Sequence, residues 1–210
     1  MLINVVTASN NPFPRMARPR KFEREPLLKR AQEVFWSQGY EATSVQDLVE
    51  ALDIHPGTLY ATFGDKHALF LEVLDYYRGW TEAAIGALLR RPGSKKQAIE
   101  QFFNLMVNGL LAPTGKRGCL LTNTAVERAL CDAPAVERVA QHHTWMAAAL
   151  HQALQEAQDA GELRTRPPEE LRALAQFLAS TMQGLRVVAR TTDEPGVLRN
   201  IVGVALQALT

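Results

Sequence analysis

Apolar residues recur every three to four positions along most of the chain, the spacing expected for one face of an α-helix. The first such stretch covers residues 24–38 and is followed by Gly39, a residue type that often ends helices in the left-handed conformation. A second stretch covers residues 45–52 and follows Ser44, a favourable N-cap. Glycine and proline separate the later stretches. The pattern predicts an all-α protein of about nine helices.

The remaining helices follow from the same periodicity. A short third helix lies within residues 53–66, and a long fourth helix covers about 66–90. Five further helices are predicted at about residues 95–111, 119–130, 134–160, 168–191 and 195–208. Residues 1–15 are polar and aperiodic, which predicts a disordered extension, with Met16 as an alternative start.

The third helix is the unusual element. Its stretch reads DIHPGTLYATFGDK, and a helix of about two turns is unstable unless its neighbours hold it. Leu59 and Phe63 are four residues apart and share a face, so with Ile54 they are the expected anchors. The residues left outside carry no formal charge at neutral pH: His55, Pro56, Thr58, Tyr60, Ala61 and Thr62.

Two short helices joined by a tight turn describe a helix-turn-helix, whose second helix enters the DNA major groove. Hydroxyl and methyl groups suit the reading of base edges at close range. Gly57 would let the start of the helix approach another surface closely. Charge for phosphate contacts lies at the flanks, in a basic segment before the first helix and at Lys66.

The segment EATSVQDLVEALDIHPGTLYATFGDKHALFLEVL resembles the DNA-binding segment of TetR-type transcriptional regulators, and ARPRKFEREPLLKRAQEVFWSQGYEATS resembles their arm and first helix. The resemblance covers about residues 17–75. It implies a helix-turn-helix domain at 16–65 and a helical ligand-binding and dimerisation domain at 66–210. It also implies a homodimer on an approximately two-fold operator, in which ligand binding swings the fourth helix and spoils the spacing of the two reading helices.

The resemblance assigns DNA contacts residue by residue. It implies phosphate contacts by Thr43 and Tyr60, a position for Lys66 at the phosphate-facing start of the fourth helix, base contacts by His55, Thr58 and Ala61 beside Pro56 and Gly57, and minor-groove contacts by Arg18, Arg20 and Lys21. Pro56 stands where the family often has Lys or Arg, so one contact of that family has no counterpart here.

Composition adds an asymmetry of charge. The chain has 47% hydrophobic and 21% charged residues and a net charge of +1. Residues 15–30 carry seven Arg or Lys and two Glu, which indicates either an anionic partner or a solvated charged terminus. No apolar run approaches the roughly 18 residues of a membrane helix, so no membrane partner is expected. Two cysteines do not make a disulfide framework, and a reducing cytoplasm is the expected location.

Cys119 has two interpretations. It stands at a predicted helix start after Lys116 and Arg117, and both features lower the pKa of a thiol and raise its reactivity. A similar Gly-Cys-Leu stretch in some TetR-type relatives implies a sensor of electrophiles or oxidants. The alternative is an inert buried cysteine. Cys131 lies beyond an intervening helix, too far to form a disulfide with Cys119.

No metal site and no cofactor are expected. His142, His143 and His151 lack the i, i+4 spacing that favours a paired metal site.

Two sets of apolar residues in the C-terminal part are also open to two interpretations. The first set lines an apolar ligand pocket or belongs to the core: Phe102, Phe103, Met106, Trp145, Met146, Phe177 and Met182. The second set, on the last two helices, pairs with a second copy or packs wholly inside one chain: Leu171, Leu174, Leu178, Leu185, Val197, Leu198, Ile201, Val202 and Ala205.

The leading hypothesis is a homodimeric DNA-binding repressor that binds a palindromic operator and is released by a small apolar or electrophilic ligand or by thiol modification. A helical enzyme acting through His142, His143 or Cys119 is the second hypothesis. Against it, the sequence has no glycine-rich phosphate loop, paired-carboxylate constellation or nucleophile elbow. A helical adaptor that binds protein through the last hairpin is the third, and it leaves the short third helix unexplained.

Overall fold

The computed structural model describes residues 23–192 and 194–210, and in these ranges it contains nine α-helices, one short 3-10 helix and no strand. The helices are α1 Arg24–Gln38, α2 Val45–Leu52, α3 Pro56–Phe63, α4 Lys66–Leu89, α5 Lys95–Leu111, α6 Leu120–Arg128, α7 Ala133–Asp159, α8 Pro168–Val188 and α9 Pro195–Gln207. The all-α prediction is confirmed. The predicted extension and the arm residues Arg18, Arg20 and Lys21 lie outside the described residues.

Local sequence signals account for most helix boundaries. The Ser44 hydroxyl accepts from the Asp47 amide, and the Asp47 carboxylate accepts from the Ser44 amide, which is a complete capping box at the start of α2. Asp65 caps α4 by accepting from the Ala68 amide at 2.7 Å. The predicted eighth helix was three residues too long, because the chain after Val188 continues as turns. The 3-10 helix Gly115–Arg117 was not predicted.

The buried apolar side chains form two clusters. The first joins α1, α2, α3 and the first half of α4 with Cys119, Leu120 and Leu121 and with the start of α7. The second joins the end of α4 with α5, most of α7, α8 and α9. α4 therefore contributes to both clusters. A displacement of this helix would change its packing against the short N-terminal helices and against the C-terminal bundle. No helix in the described ranges is long and apolar enough to span a membrane.

Candidate nucleic-acid interface and adjoining cleft

α3 is held in place from beneath. Leu59 is fully buried and Phe63 nearly so, and both belong to the same cluster as Leu48 and Leu52 of α2. The Arg24 guanidinium lies 4.9 Å from the centre of the Phe63 ring. These contacts supply the stability that a two-turn helix lacks by itself. The sequence-based explanation of how this helix persists therefore agrees with the packing.

The opposite face of α3 is open to solvent. His55, Pro56, Gly57 and Ala61 are exposed, and the Tyr60 side chain is 50% exposed. Thr58 is half-buried. A Cβ atom added to Gly57 would meet no atom within 4 Å, so no contact in this structure requires glycine at that position. The surface has the chemistry for reading bases: hydroxyl, imidazole and methyl groups without a formal charge at neutral pH.

The turn that orients α3 depends on Asp53. This residue ends α2 in the left-handed conformation at φ 54° and ψ 51°, and its amide donates to the Glu50 carbonyl. Aspartate is among the few non-glycine types that adopt this conformation at modest cost. The left-handed conformation of Asp53 and the packing of Leu59 on α2 together set the angle between α2 and α3.

Thr43 is not available for the predicted phosphate contact. Its side chain is fully buried, and its hydroxyl donates to the Gly39 carbonyl at 2.6 Å. The prediction was wrong because Thr43 closes the turn between α1 and α2. The neighbouring Ser44 is exposed at the start of α2.

Lys66 is also committed within the chain. Its ammonium donates to the carbonyls of Tyr40 and Thr43, at 2.8 and 2.6 Å, and lies 4.3 Å from the centre of the Tyr40 ring. The expected phosphate contact is therefore replaced by a structural role. Lys66 ties the first residue of α4 to the turn before α2, which fixes where α2 and α3 sit on α4.

Two family models match the chain. The model for the N-terminal domain of bacterial regulatory proteins of the tetR family matches residues 27–73, and the model for a Tetracyclin repressor-like C-terminal domain matches residues 96–203. The chain belongs to the TetR family. It is therefore a DNA-binding transcriptional regulator, and the interpretation as an enzyme was wrong.

Relatives and solved structures agree with the TetR assignment over nearly the whole chain. The uncharacterized HTH-type transcriptional regulator YezE of Bacillus subtilis is 34% identical and covers 92% of this chain and 100% of its own length. The HTH-type transcriptional repressor ComR of Escherichia coli is 32% identical over 90% of each chain. A cysteine mutant of the TetR-family regulator CifR, solved with 26-bp double-strand operator DNA, is 28% identical with a TM-score of 0.81 over 92% of this chain and 100% of its own.

A cleft of about 490 Å³ lies beside the DNA-binding helices of this TetR-family protein. Its wall is formed by α4, α5, the 3-10 helix, Trp36 of α1 and Arg186 of α8. Phe102 and Met106, two of the predicted ligand-binding residues, line this cleft together with Cys119. Because Trp36 belongs to α1, a molecule in the cleft would touch the DNA-binding domain directly.

The other predicted pocket residues lie elsewhere. Phe103 and Met182 are fully buried core residues, and Met146 is a core residue that borders a separate cleft between α7 and α8. Trp145 stacks on the His142 ring, with ring centres 6.2 Å apart. Phe177 is 49% exposed on the outer side of α8. Apolar character alone did not separate lining, core and surface positions, since all three occur on the same helices.

Cys119 is buried at the N-cap of α6, and the Tyr77 hydroxyl donates to its sulfur at 3.5 Å. Burial by itself raises the pKa of the Cys119 thiol. The Arg186 guanidinium, the Tyr77 hydroxyl and Thr122 outweigh it and hold that pKa below its ordinary value. Burial raises the pKa of Tyr77, so its hydroxyl remains a donor.

The cations expected to act on Cys119 were the wrong ones. Arg117 pairs with Glu33 and lies over the Trp36 ring at 4.4 Å. The Lys116 ammonium donates to the Thr192 carbonyl. Arg186 is 67 residues from Cys119 in sequence, and no local signal could have indicated their proximity. α6 lies between Cys119 and Cys131, as expected, and both cysteines are free thiols.

The predicted dimerisation residues are mostly interior. Leu171, Leu174, Leu178, Leu185, Leu198, Val202 and Ala205 are all buried within the single chain, while Val197 and Ile201 are half-buried. They form the inner seam between α8, α9 and the rest of the bundle. The apolar outer face of the hairpin is made mostly by other residues, with Ile201 and Ala205 also lining its groove. It holds Phe177, Val187 and Val204, and the groove has a volume of about 400 Å³.

α6 connects the cleft to the DNA-binding helices. Its N-cap is Cys119, and near its other end the Glu127 carboxylate accepts from the Tyr40 and Glu41 amides at 3.1 and 2.8 Å. Arg128 pairs with Glu41 and lies over the Tyr40 ring. The turn that Lys66 and Thr43 hold from one side is thus held from the other side by α6. Sequence reasoning missed Glu127, which looks like a solvated helix residue.

Of the three candidate histidines, His142 has a polar partner within the chain. His142 is fully buried, and its Nδ1 lies 3.1 Å from a Glu82 carboxylate oxygen. Burial lowers the pKa of His142 to about 3, with further lowering by Arg186, His143 and Arg78. The described residues contain no group of three or more His, Cys, Asp or Glu side chains placed to hold a metal ion.

Proposed function

We propose that this TetR-family regulator is a homodimeric repressor that binds a palindromic operator through α3 and releases it when the cleft takes up a small apolar or electrophilic ligand or when Cys119 is modified. The observation that carries the proposal is that Cys119 and Glu127 lie at the two ends of one helix. One end lines the cleft, and the other end holds the turn before α2.

DNA reading is assigned to the exposed face of α3. His55, Thr58 and Ala61 are the proposed base contacts, and the Tyr60 hydroxyl is a proposed phosphate contact. Pro56 and Gly57 allow the backbone at the start of the helix to lie close to the duplex. The arm residues Arg18, Arg20 and Lys21 remain proposed minor-groove contacts. Operator DNA in the CifR complex and the repressor role of ComR support this proposal.

Dimerisation is assigned to the outer face of the α8–α9 hairpin. Phe177, Val187 and Val204 are 49%, 47% and 66% exposed, and they leave an apolar surface on adjacent helices. Two copies of this hairpin would form a four-helix contact in which each patch meets its own symmetry mate. Such a dimer places two α3 helices on one duplex, which a palindromic operator requires.

Release is assigned to the contacts at the two ends of α6 and along α4. A ligand in the cleft would press on Trp36 of α1, Tyr77 of α4 and Cys119 of α6. Displacement of α6 would carry Glu127 and Arg128 away from Tyr40 and Glu41, and displacement of α4 would carry Lys66. Each change loosens the turn before α2, so the two α3 helices would lose the spacing that the operator demands.

The test of DNA reading uses fluorescence anisotropy with duplexes from the gene's own upstream region and random competitor. Specific binding should show a steep loss of affinity between about 50 and 200 mM salt. Thr58→Ala should lower the ratio of specific to non-specific affinity, because a base contact is lost. Tyr60→Phe should weaken all duplexes about equally. Equal loss of specificity in both variants would contradict the assignment of these two residues.

The test of thiol control uses iodoacetamide on the protein–operator complex. We expect alkylation of Cys119 to release DNA and Cys119→Ser to abolish the response. The exposed Cys131 provides the matched control, since Cys131→Ser should respond like the unmodified sequence. Release that persists in Cys119→Ser would rule out this thiol as the sensor and leave only non-covalent ligands.

A further inference from the structure

The cleft that contains Cys119 has an uneven distribution of polar groups. Much of its wall is apolar and includes Trp80, Ile85, Phe102, Leu105 and Met106. The charged side chains that line it are Arg91, Arg117 and Arg186, and no Asp or Glu in the described part of the chain joins them. A cleft of about 490 Å³ is large enough for a drug-sized molecule. Its walls suit a ligand with a hydrocarbon part and a negative group.

The three arginines are not equivalent. Arg91 is exposed and hydrated. Arg117 is neutralised by Glu33, at 2.5 Å. Arg186 is only 8% exposed, and the one hydrogen bond of its guanidinium among the described residues runs from Nη1 to the Gln183 side-chain oxygen at 3.3 Å. Within the described ranges no carboxylate lies within 4 Å of its guanidinium.

A buried guanidinium without a counter-ion is costly, because the charge has lost water and gained little in return. The last turn of α8 offers only a partial negative charge of about half an elementary unit. Gln183 is neutral and also accepts from the Thr122 hydroxyl. The structure therefore keeps a positive charge facing the cleft that an incoming anion would compensate.

Two further donors in the wall lack acceptors. Trp36 Nε1 and Arg117 Nε are buried and have no hydrogen-bond partner among the described residues. Buried polar atoms are nearly always hydrogen-bonded, so each exception calls for an explanation. An acceptor atom on a bound ligand would satisfy a donor of this kind.

We propose that the cleft binds a small organic acid, with its carboxylate at Arg186 and its hydrocarbon part against Trp80, Phe102 and Met106. This assignment rests on the proposed function as a ligand-responsive regulator and names the chemical class of its effector. A carboxylate and a guanidinium form a charge-assisted, bidentate contact. Binding would require the ligand carboxylate to lose its water, but the guanidinium of Arg186 is already buried in the unbound protein, so most of its own desolvation cost was met on folding.

The same contact links the acid to the thiol. Arg186 is one of the groups that hold the pKa of Cys119 low. A carboxylate at Arg186 would cancel that effect and would also cover the sulfur. Occupancy by an acid should therefore slow the reaction of Cys119 with electrophiles, so the two proposed effectors would compete for the same site although each would release DNA.

The experiment compares three probes of one shape on the full chain without DNA: 2-naphthoate, 2-naphthamide and 2-naphthylmethylammonium. Calorimetry should show the acid binding about tenfold to a hundredfold tighter than the amide, since hydrogen bonds to charged groups contribute that much. The ammonium should bind weakest. Arg186→Gln should abolish the preference for the acid, Arg186→Lys should keep most of it, and Arg91→Gln at the cleft mouth is the matched control that should keep it fully.

A second measurement needs no variant. Mass spectrometry should show that saturating 2-naphthoate slows iodoacetamide alkylation of Cys119 while Cys131 reacts at an unchanged rate. Equal binding of acid and amide, a preference that survives in folded Arg186→Gln, or no binding of any probe would each overturn the proposal. Because no DNA is present, these outcomes are separate from operator binding, whose failure would instead count against the proposed function.

Discussion

Thr43 and Thr58 lie at the same end of the molecule, yet their surroundings differ. The Thr43 hydroxyl closes a turn inside the protein, whereas Thr58 lies half-buried on the open side of α3. The Lys66 ammonium likewise donates hydrogen bonds to two backbone carbonyls of the chain. At the residue scale, the role of a side chain here depends on which backbone groups it meets, and residue type alone does not reveal this.

At Gly57, the residue type that best stabilises the fold differs from the one expected to suit DNA binding. Nothing in the protein occupies the space of a Cβ at this position, and alanine is the better helix former. We expect Gly57→Ala to raise the free energy of unfolding by up to about 1 kcal/mol in urea. The same variant should bind operator DNA more weakly, because the added methyl group obstructs the close approach. Unchanged affinity would show that the start of α3 does not contact the duplex closely.

His142 should make stability depend on pH. Its pKa is about 3 when folded, against an ordinary value near 6.5, so below pH 6.5 the unfolded chain binds a proton that the folded chain does not. The contribution of the neutral, buried His142 to the free energy of unfolding is therefore fully present above pH 6.5. It falls by about 1.4 kcal/mol per pH unit as the pH drops towards 3.

Urea titrations of the unmodified protein and of His142→Gln between these pH values measure this dependence. The difference in unfolding free energy between the two should shrink as the pH falls. Burial raises the pKa of Glu82, but this group is present in both proteins and cancels from the difference. His55→Gln, at the exposed N-cap of α3, is the control substitution. Parallel curves for the unmodified protein and His142→Gln would contradict the prediction.

α6 is a short helix whose two ends contact different parts of the molecule. Cys119 and Leu120 begin it at the cleft, and Glu127 and Arg128 end it against the turn before α2. A rigid helix of nine residues moves both ends together. At the element scale, α6 therefore joins the cleft to the DNA-binding helices alongside the longer α4.

Glu127→Gln tests this connection. The amide side chain keeps one acceptor oxygen where the carboxylate supplied two, so one backbone amide of Tyr40 or Glu41 loses its partner. We expect a loss of about 1 to 2 kcal/mol in unfolding free energy. Hydrogen exchange at the Tyr40 and Glu41 amides should become faster, and operator release by ligand should become less complete. Glu137→Gln, an exposed position on α7, should change none of these.

At the scale of the whole molecule, two surfaces of the described residues are proposed for partners: the exposed face of α3 and the outer face of the α8–α9 hairpin. They belong to different apolar clusters, which α4 joins. A DNA duplex on the first and a second copy on the second would explain both. In the proposed dimer, the contact between the two copies would set the distance between the two α3 helices, and occupancy of the cleft would change it.

Phe177→Glu and Val204→Glu test the dimer surface. Both residues are exposed in the single chain, so each variant should still fold. In a symmetric dimer, however, each substitution would bury two unpaired carboxylates at the contact, one from each copy. Sedimentation should show monomers at concentrations where the unmodified protein is dimeric. Affinity for the palindrome should fall far more than affinity for a half-site. Val126→Glu, 79% exposed on α6, is the control and should remain dimeric.

Periodicity and capping residues by themselves determined the nine helices, and the apolar underside of DIHPGTLYATFGDK determined how α3 is held, because both are local and repeat along the chain. The outward face of α3 was predictable for the same reason. Only the tertiary structure decided that Thr43 and Lys66 hold the turn before α2 through backbone carbonyls. It also decided that most of the predicted dimerisation residues lie inside the chain and that Arg186 lies near Cys119. Those outcomes depend on residues far apart in sequence that packing brings within a few ångströms, and no local pattern encodes such distances.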